Sequence, residues 1–226
     1  MSVTVFWFRR DLRLHDNAAL YHALRSGSPV LPLFIFDSNI LDDLTDRSDP
    51  RVGFIHHSLS EIREFLLKHG SDMLVLKGKP EDVWTDILSR FDVKAVFTNR
   101  DYEPYANDRD RTVTGLLQRR NIPLHTAKDH VVFEFNEVLK SDGTPYTVFT
   151  PYKKRWLEKL NSRISRQPDE NGLNQPVSYF LKSYPTEKYF SNFIRKSSLT
   201  AEQASLTGGF PSLETLGFTP SDMAVP

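Results

Sequence analysis

The 226 residues suit one large domain, or a domain with an appendage. The 29 basic and 29 acidic side chains cancel, so no overall field draws nucleic acid or an anionic membrane, although a local basic patch fits the same total. No cysteine is present, which excludes disulfides, thiolate metal sites and a cysteine nucleophile. No basic-then-apolar signal region opens the chain, and no apolar run reaches the ~18 residues of a membrane span. The expectation is therefore a soluble, cytoplasmic protein with an aromatic-rich core, since 16 residues are phenylalanine.

Val3 to Phe8 predicts a buried strand, continuous, apolar and β-branched at its start. A loop with Arg9, Arg10, Asp11, Arg13 and Asp16 follows without a glycine, and Asp16 or Asn17 can cap the next helix. That helix carries Ala19, Leu20, Ala23 and Leu24 and stops near Gly27. Val30 to Phe36 is a second strand ending at Asp37. The acidic stretch from Ser38 to Pro50 predicts no regular element.

Val52, Ile55, Leu59, Ile62 and Leu66 recur at helical spacing and share one face. Met73 to Leu76 is a third strand. Pro80 opens a helix whose Val83, Trp84, Ile87, Leu88 and Phe91 face inward. Ala95 to Thr98 is a fourth strand, a helix runs from about Tyr105 to Arg120, and Leu124 to Thr126 is a fifth strand. Alternation of strand and helix over residues 3–126 implies right-handed crossovers and a parallel sheet covered on both faces. Such sheets bind ligands beyond the carboxyl ends of their strands, where strand order reverses.

The alternation then stops. Ser141-Asp142-Gly143-Thr144 predicts a hairpin turn between two short extended runs. Thr150-Pro151 predicts a cap and first-turn proline of a helix with Trp156, Leu157 and Leu160. From about Asn161 the composition turns polar, as in a linker or wrapping segment. Its Tyr179, Phe180, Tyr184, Tyr189, Phe190 and Phe193 imply packing on a neighbour. The expected division is an α/β domain over 1–135, a hairpin and helix over 136–160, and a linker or wrapping segment over 161–226.

Several clusters are candidates for chemistry. Arg9, Arg10 and Arg13 can hold an anionic or carbonyl-rich ligand through forked hydrogen bonds. By residue type alone an ion-pair network with Asp11 and Asp16 is the commoner outcome. Asp101 and Glu103, before a helix, can accept from a flat heterocycle or serve as a capping cluster. Phe34, Ile35, Phe36 and Asp37 end the second strand, as stacking partners or as core. Arg51 precedes the periodic helix. Lys153-Lys154-Arg155 and Lys159 fit a solvated helix face better than a phosphate site. His56 and His57 are adjacent and diverge on a helix, so no metal pair is expected. No glycine-rich phosphate loop occurs.

Four segments resemble the photolyase/cryptochrome family. They are Trp-Phe-Arg-Arg-Asp-Leu-Arg-Leu-His-Asp-Asn at 7–17, Pro50-Arg51-Val52-Gly53-Phe54, the run from Asn99 to Asp110 around Tyr-Glu-Pro-Tyr-Ala, and Thr144 to Tyr152 leading to Trp156. Bacterial cyclobutane-dimer photolyases are the most similar members, and the likeness covers about residues 1–160. It implies a Rossmann-like, three-layer antenna domain with a five-stranded parallel sheet. It also implies a parent enzyme, a lyase that splits cyclobutane pyrimidine dimers in UV-damaged DNA by electron transfer from excited, reduced FAD. FAD and flipped-out lesion would be held by a C-terminal helical domain, expected after Phe218 and absent here. The chain by itself is therefore expected to be inactive, and monomeric.

A light-harvesting antenna would sit in this domain. The folate pattern is poorly matched, because Pro104-Tyr105-Ala106 replaces it, whereas Asp101 to Tyr105 is similar to members with a deazaflavin or flavin antenna. Carried over by position, the pocket comprises Arg9, Phe34, Ile35, Phe36, Asp37, Arg51, Asp101 and Glu103. No catalytic or metal-ligating residue is expected. The alternatives are the same domain of a cryptochrome receptor, or a stand-alone nucleotide-binding module.

Overall fold

The computed structural model describes residues 1–162, 164–168, 174–178 and 182–222. They form two units, Met1–Ala127 with Pro185 onward, and Lys128–Tyr184.

The first unit is built on β1 (Ser2–Trp7), β2 (Val30–Asp37), β3 (Leu74–Gly78), β4 (Asp92–Asn99) and β5 (Leu124–Ala127). All pair in parallel, in the order β3-β2-β1-β4-β5. Order reverses between β1 and β4, so the loops after these strands share the crevice expected to take ligands. Alternating strand residues feed two cores. Phe6, Phe8, Phe34 and Phe36 meet α1 (Ala18–Leu24) and α3 (Pro50–Lys68). Val5, Trp7, Leu33 and Ile35 meet α4 (Pro80–Arg90) and α5 (Pro104–Gln118).

The helices start where the sequence predicts. Asn17, not Asp16, caps α1 by accepting from Leu20 N, while Asp16 turns at a φ of 48°. Asp49 caps α3 and Pro50 occupies its first turn. Of the predicted inward face of α3, Val52, Leu59, Ile62 and Leu66 are buried. Among the sequence-early elements of this unit, α2 (Ser38–Leu41) was not expected: it is a single turn capped by Asp37, which accepts from Asn39 N. Its only apolar anchor is Leu41, too little to leave a periodic signal.

From Pro185 the chain wraps this sheet. Thr186 Oγ1 donates to Leu14 O at 2.6 Å, Asn192 Nδ2 to Leu24 O at 2.8 Å, and Ile194 N to Val30 O at 2.8 Å. Phe193, Ile194, Leu216 and Phe218 are buried in the two cores. Asp72, with no exposed surface, ties Arg63 of α3 (2.8 Å) to Lys196 of the wrap (3.0 Å). Two short helices complete the segment, α7 (Ala201–Gly208) and α8 (Leu213–Leu216), numbered after α6 of the second unit. Tyr184, Tyr189, Phe190 and Phe193 lie in described residues. Tyr179 and Phe180 lie outside them.

In the second unit the turn at 141–144 forms, with Lys140 N donating to Thr144 O at 2.9 Å and Gly143 at a φ of 80°. The expected extended runs beside it are not strands, because the cross-chain bonding ends with that turn. Helix α6 (Phe149–Asn161) starts one residue before Thr150 and has no side-chain cap. Its Trp156 meets Phe133 edge-on at 5.4 Å, yet none of its residues is fully buried. Lys159 donates to the Glu137 carbonyl. An antiparallel pair, β6 (Ile164–Pro168) and β7 (Asn174–Ser178), occupies a stretch the composition marked as linker. Among the described residues no helix is long and apolar enough to cross a membrane.

Candidate functional site

The diagnostic loop after β1 is anchored from below. Asp11, Asn17 and Asn99 are buried together. Asn99 Nδ2 donates to Asp11 Oδ2 at 2.5 Å and to Asn17 Oδ1 at 2.9 Å. Asn17 Nδ2 reaches the same Asp11 oxygen at 2.9 Å, and Asn99 Oδ1 accepts from Ala19 N at 3.0 Å. This network joins β1, β4 and the start of α1 across the switch point. Asp11 thus braces the loop, held by two side-chain amides and by Arg9 N, which donates to its Oδ1 at 2.9 Å.

Arg9 lies in the layer beneath the crevice, its side chain only 2% exposed. Nε donates to Thr98 Oγ1 at 3.0 Å, Nη2 to Asp110 Oδ1 at 2.6 Å, and the guanidinium carbon sits 3.2 Å from the Trp7 ring centroid. Burial, and then Arg109, pull its pKa down to about 9, so it stays charged at neutral pH. Arg109 Cζ is 5.4 Å from the same indole and 6.0 Å from the Tyr105 ring. Its Nη2 is buried and has no hydrogen-bond partner among the described residues. A buried donor in that state favours an acceptor supplied from elsewhere.

The upper layer holds the other polar candidates. Arg10, exposed, clamps Asp101 at 3.5 Å and also Glu103. The Glu103 bond raises the Arg10 pKa. Asp37 is buried and accepts from Tyr105 Oη at 2.6 Å, while Asn39 Nδ2 donates to that hydroxyl at 3.0 Å. Burial, with the Asp37 bond second, pushes the Tyr105 phenol up to about 12, so it remains a donor. Tyr102, between the two carboxylates, is 58% exposed.

The structure thus joins Asp101 with Glu103 through Arg10, and Asp37 with Tyr105. Arg51 grips its neighbour Asp49 with two donors, at 3.0 and 2.5 Å, and Phe54 one turn later is 48% exposed. Phe34, Ile35 and Phe36 are core residues on opposite faces of the sheet. Sequence reasoning read Asn17 as a cap candidate and Asn99, Tyr105, Arg109 and Asp110 as members of the family-like run, but assigned none of them to the pocket. The first-turn position of Tyr105 and the Arg-Asp pair one turn on were the available signals.

The sequence model for DNA photolyase matches residues 4–171. The chain belongs to the DNA photolyase family. A deoxyribodipyrimidine photo-lyase of Synechococcus sp. strain PCC 6301 is 31% identical over 214 residues, 95% of this chain and 40% of the relative. The chloroplastic/mitochondrial cryptochrome DASH of Arabidopsis thaliana is 32% identical over 175 residues, 73% of this chain and 30% of that protein. The crystal structure of an archaeal photolyase from Sulfolobus tokodaii, with two FAD molecules, superposes at a TM-score of 0.64. It covers 98% of this chain and 43% of that one, at 22% identity, which establishes the shared fold. The photolyase-family chain therefore spans about two-fifths of the length of such relatives. The five-stranded parallel sheet is the fold expected of the family's amino-terminal part.

Residues of the crevice suit a flat, polar ring. Arg109 offers a donor without a partner among the described residues, Tyr102 offers exposed aromatic surface, and Asp37, Asp101 and Glu103 offer carboxylates held in place by Tyr105 and Arg10.

Proposed function

We propose that this chain is the light-harvesting part of a photolyase, and that a deazaflavin or flavin antenna sits outside the β1 and β4 ends. The orphaned Arg109 donor at the switch point is the observation that carries this placement. Asp37, Arg51, Asp101 and Glu103 would meet the ligand directly, with Tyr105 setting the direction of Asp37. Arg9, Phe34, Ile35 and Phe36 would act as the floor, since all four are buried. When bound, the antenna supplies an excited state. The chain's own task is to bind the ring, orient it and exclude water. The archaeal photolyase from Sulfolobus tokodaii, which holds two FAD molecules with the implication of a novel light-harvesting cofactor, supports a flavin over a folate.

We further propose that the complete protein acts in the cytoplasm on UV-damaged DNA, splitting cyclobutane pyrimidine dimers with reduced FAD held by the portion of its relatives that this chain does not span. The chain alone would be monomeric and unable to repair. The cryptochrome DASH likeness favours a second reading, a blue-light receptor with the same antenna domain. An absorbance titration with riboflavin phosphate and with 8-hydroxydeazaflavin tests the antenna. A red-shifted, saturable spectrum that weakens at least tenfold in Asp101→Asn is expected. No shift with either ring overturns the assignment.

A further inference from the structure

Trp7 is the indole closest in sequence to the candidate crevice, and its surroundings are unusual. It is 2% exposed at the end of β1, with Trp84 edge-on at 5.3 Å. Arg9, two residues on, returns to the same face of the chain and lies flat on it at 3.2 Å. Arg109 of α5 approaches the same ring at 5.4 Å. Both guanidiniums are fixed from their N–H edges by one carboxylate oxygen, Asp110 Oδ1, at 2.6 Å from Arg9 Nη2 and 3.1 Å from Arg109 Nε. Thr98 completes the frame, accepting from Arg9 Nε and donating to the Trp7 carbonyl at 2.9 Å. A single stacked arginine would satisfy packing.

The physical consequence concerns electrons. A cation over an indole is attracted to its electron-rich face. Removing one electron turns that attraction into repulsion, and low-dielectric surroundings magnify the difference. The neutral indole is thus favoured over its radical cation by every guanidinium in contact with it.

We propose that Arg9 and Arg109 insulate Trp7 against one-electron oxidation, so that it does not quench a light-excited ring bound above it. The suppressed step is simple. One electron would leave the Trp7 indole, giving its radical cation, and enter the excited ring, which is reduced by one electron; no proton moves. The proposal rests on the antenna reading for its purpose, but not for its chemistry, which belongs to the protein alone.

The test therefore starts without a chromophore. The purified chain is irradiated with anthraquinone-2-sulfonate, a soluble triplet oxidant, and oxidised Trp7, Trp84 and Trp156 are quantified by peptide mass spectrometry. Trp84, fully buried beside Trp7, is the internal control for access. In the unmodified chain Trp7 is expected to oxidise no faster than Trp84. Arg9→Gln should raise the Trp7 to Trp84 ratio at least threefold, Arg109→Gln by less, and Arg9→Lys should stay near the parent value. An unchanged ratio in Arg9→Gln, or an equal rise in Arg9→Lys, overturns the proposal. If Arg9→Gln does not fold, Arg109→Gln decides alone, and no rise there counts against it. A second arm measures the fluorescence lifetime of bound riboflavin phosphate, expected to shorten in Arg9→Gln and to recover in Arg9→Gln/Trp7→Phe. Absence of any flavin binding would sink the antenna reading while leaving the first arm intact.

Discussion

Asn99 illustrates why one amide can matter more than a cluster of charges. It carries two donors and an acceptor, and three different partners use them: Asp11, Asn17 and the Ala19 amide. The sequence marks it only as the head of the run to Asp110 and not as a brace, because Asn17 and Asn99 are 82 residues apart and only the pairing of β1 with β4 brings them together. By contrast, the arginines around it were conspicuous and proved to have divided duties. Arg9 supports from below, while Arg10 clamps Asp101 and Glu103 in the upper layer. Replacing Asn99 by leucine leaves the buried Asp11 carboxylate and the Ala19 N–H short of partners. Each stranded buried group costs about 1–3 kcal/mol. Asn99→Leu should therefore lower the free energy of urea unfolding by about 3 kcal/mol. A loss below ~1 kcal/mol would mean that water replaces the amide.

Regular elements were legible where burial imposes a period, and illegible where tertiary bonds replace it. The inward face of α3 and the proline starts of α3 and α4 follow from spacing and capping rules. The single turn of α2 does not, since a local cap from Asp37 and one buried leucine leave no period, and the wrap does not, since side-chain bonds to distant backbone help to hold it. The latch at Asp72 is the clearest case. Burial pushes this carboxyl up, but bonds from Arg63, Lys196 and Met73 N more than offset that and hold it below its ordinary value. A depressed folded pKa stabilises above the unfolded value of about 3.9 and is lost as pH falls through the folded one. Asp72→Asn should cost about 2 kcal/mol at pH 7, less than the ~3–5 kcal/mol of a fully buried pair, because Lys196 is partly exposed. The gap between the two proteins in urea should narrow as pH is lowered from 5 towards 3. A gap independent of pH would show that the ion pair contributes nothing.

The two cores of the α/β unit are completed by chain that lies far away in sequence. Composition suggested a wrapping segment beyond Asn161 and its aromatics marked Phe193 as a packing residue, but Ile194, Leu216 and Phe218, which also close the sheet, follow no period. All four are at most 4% exposed. Burying one such side chain contributes about 1.5–3 kcal/mol, so the four together supply roughly 6–12 kcal/mol. That is comparable with the whole stability of a typical domain, about 5–15 kcal/mol. The wrap also covers backbone that would otherwise face water, at Leu14, Leu24, Val30 and Gly70. A chain cut after Tyr184 should therefore lose its cooperative thermal transition, retain much of its far-ultraviolet dichroism and bind a hydrophobic dye. A shortened chain that still melts sharply, within ~5 °C of the full one, would show that the sheet and its four main helices stand without the wrap. Supplying residues 185–226 as a separate peptide distinguishes lost packing from a lost covalent tether. Recovery of the transition in proportion to peptide concentration is expected by mass action, because the peptide binds only the folded sheet.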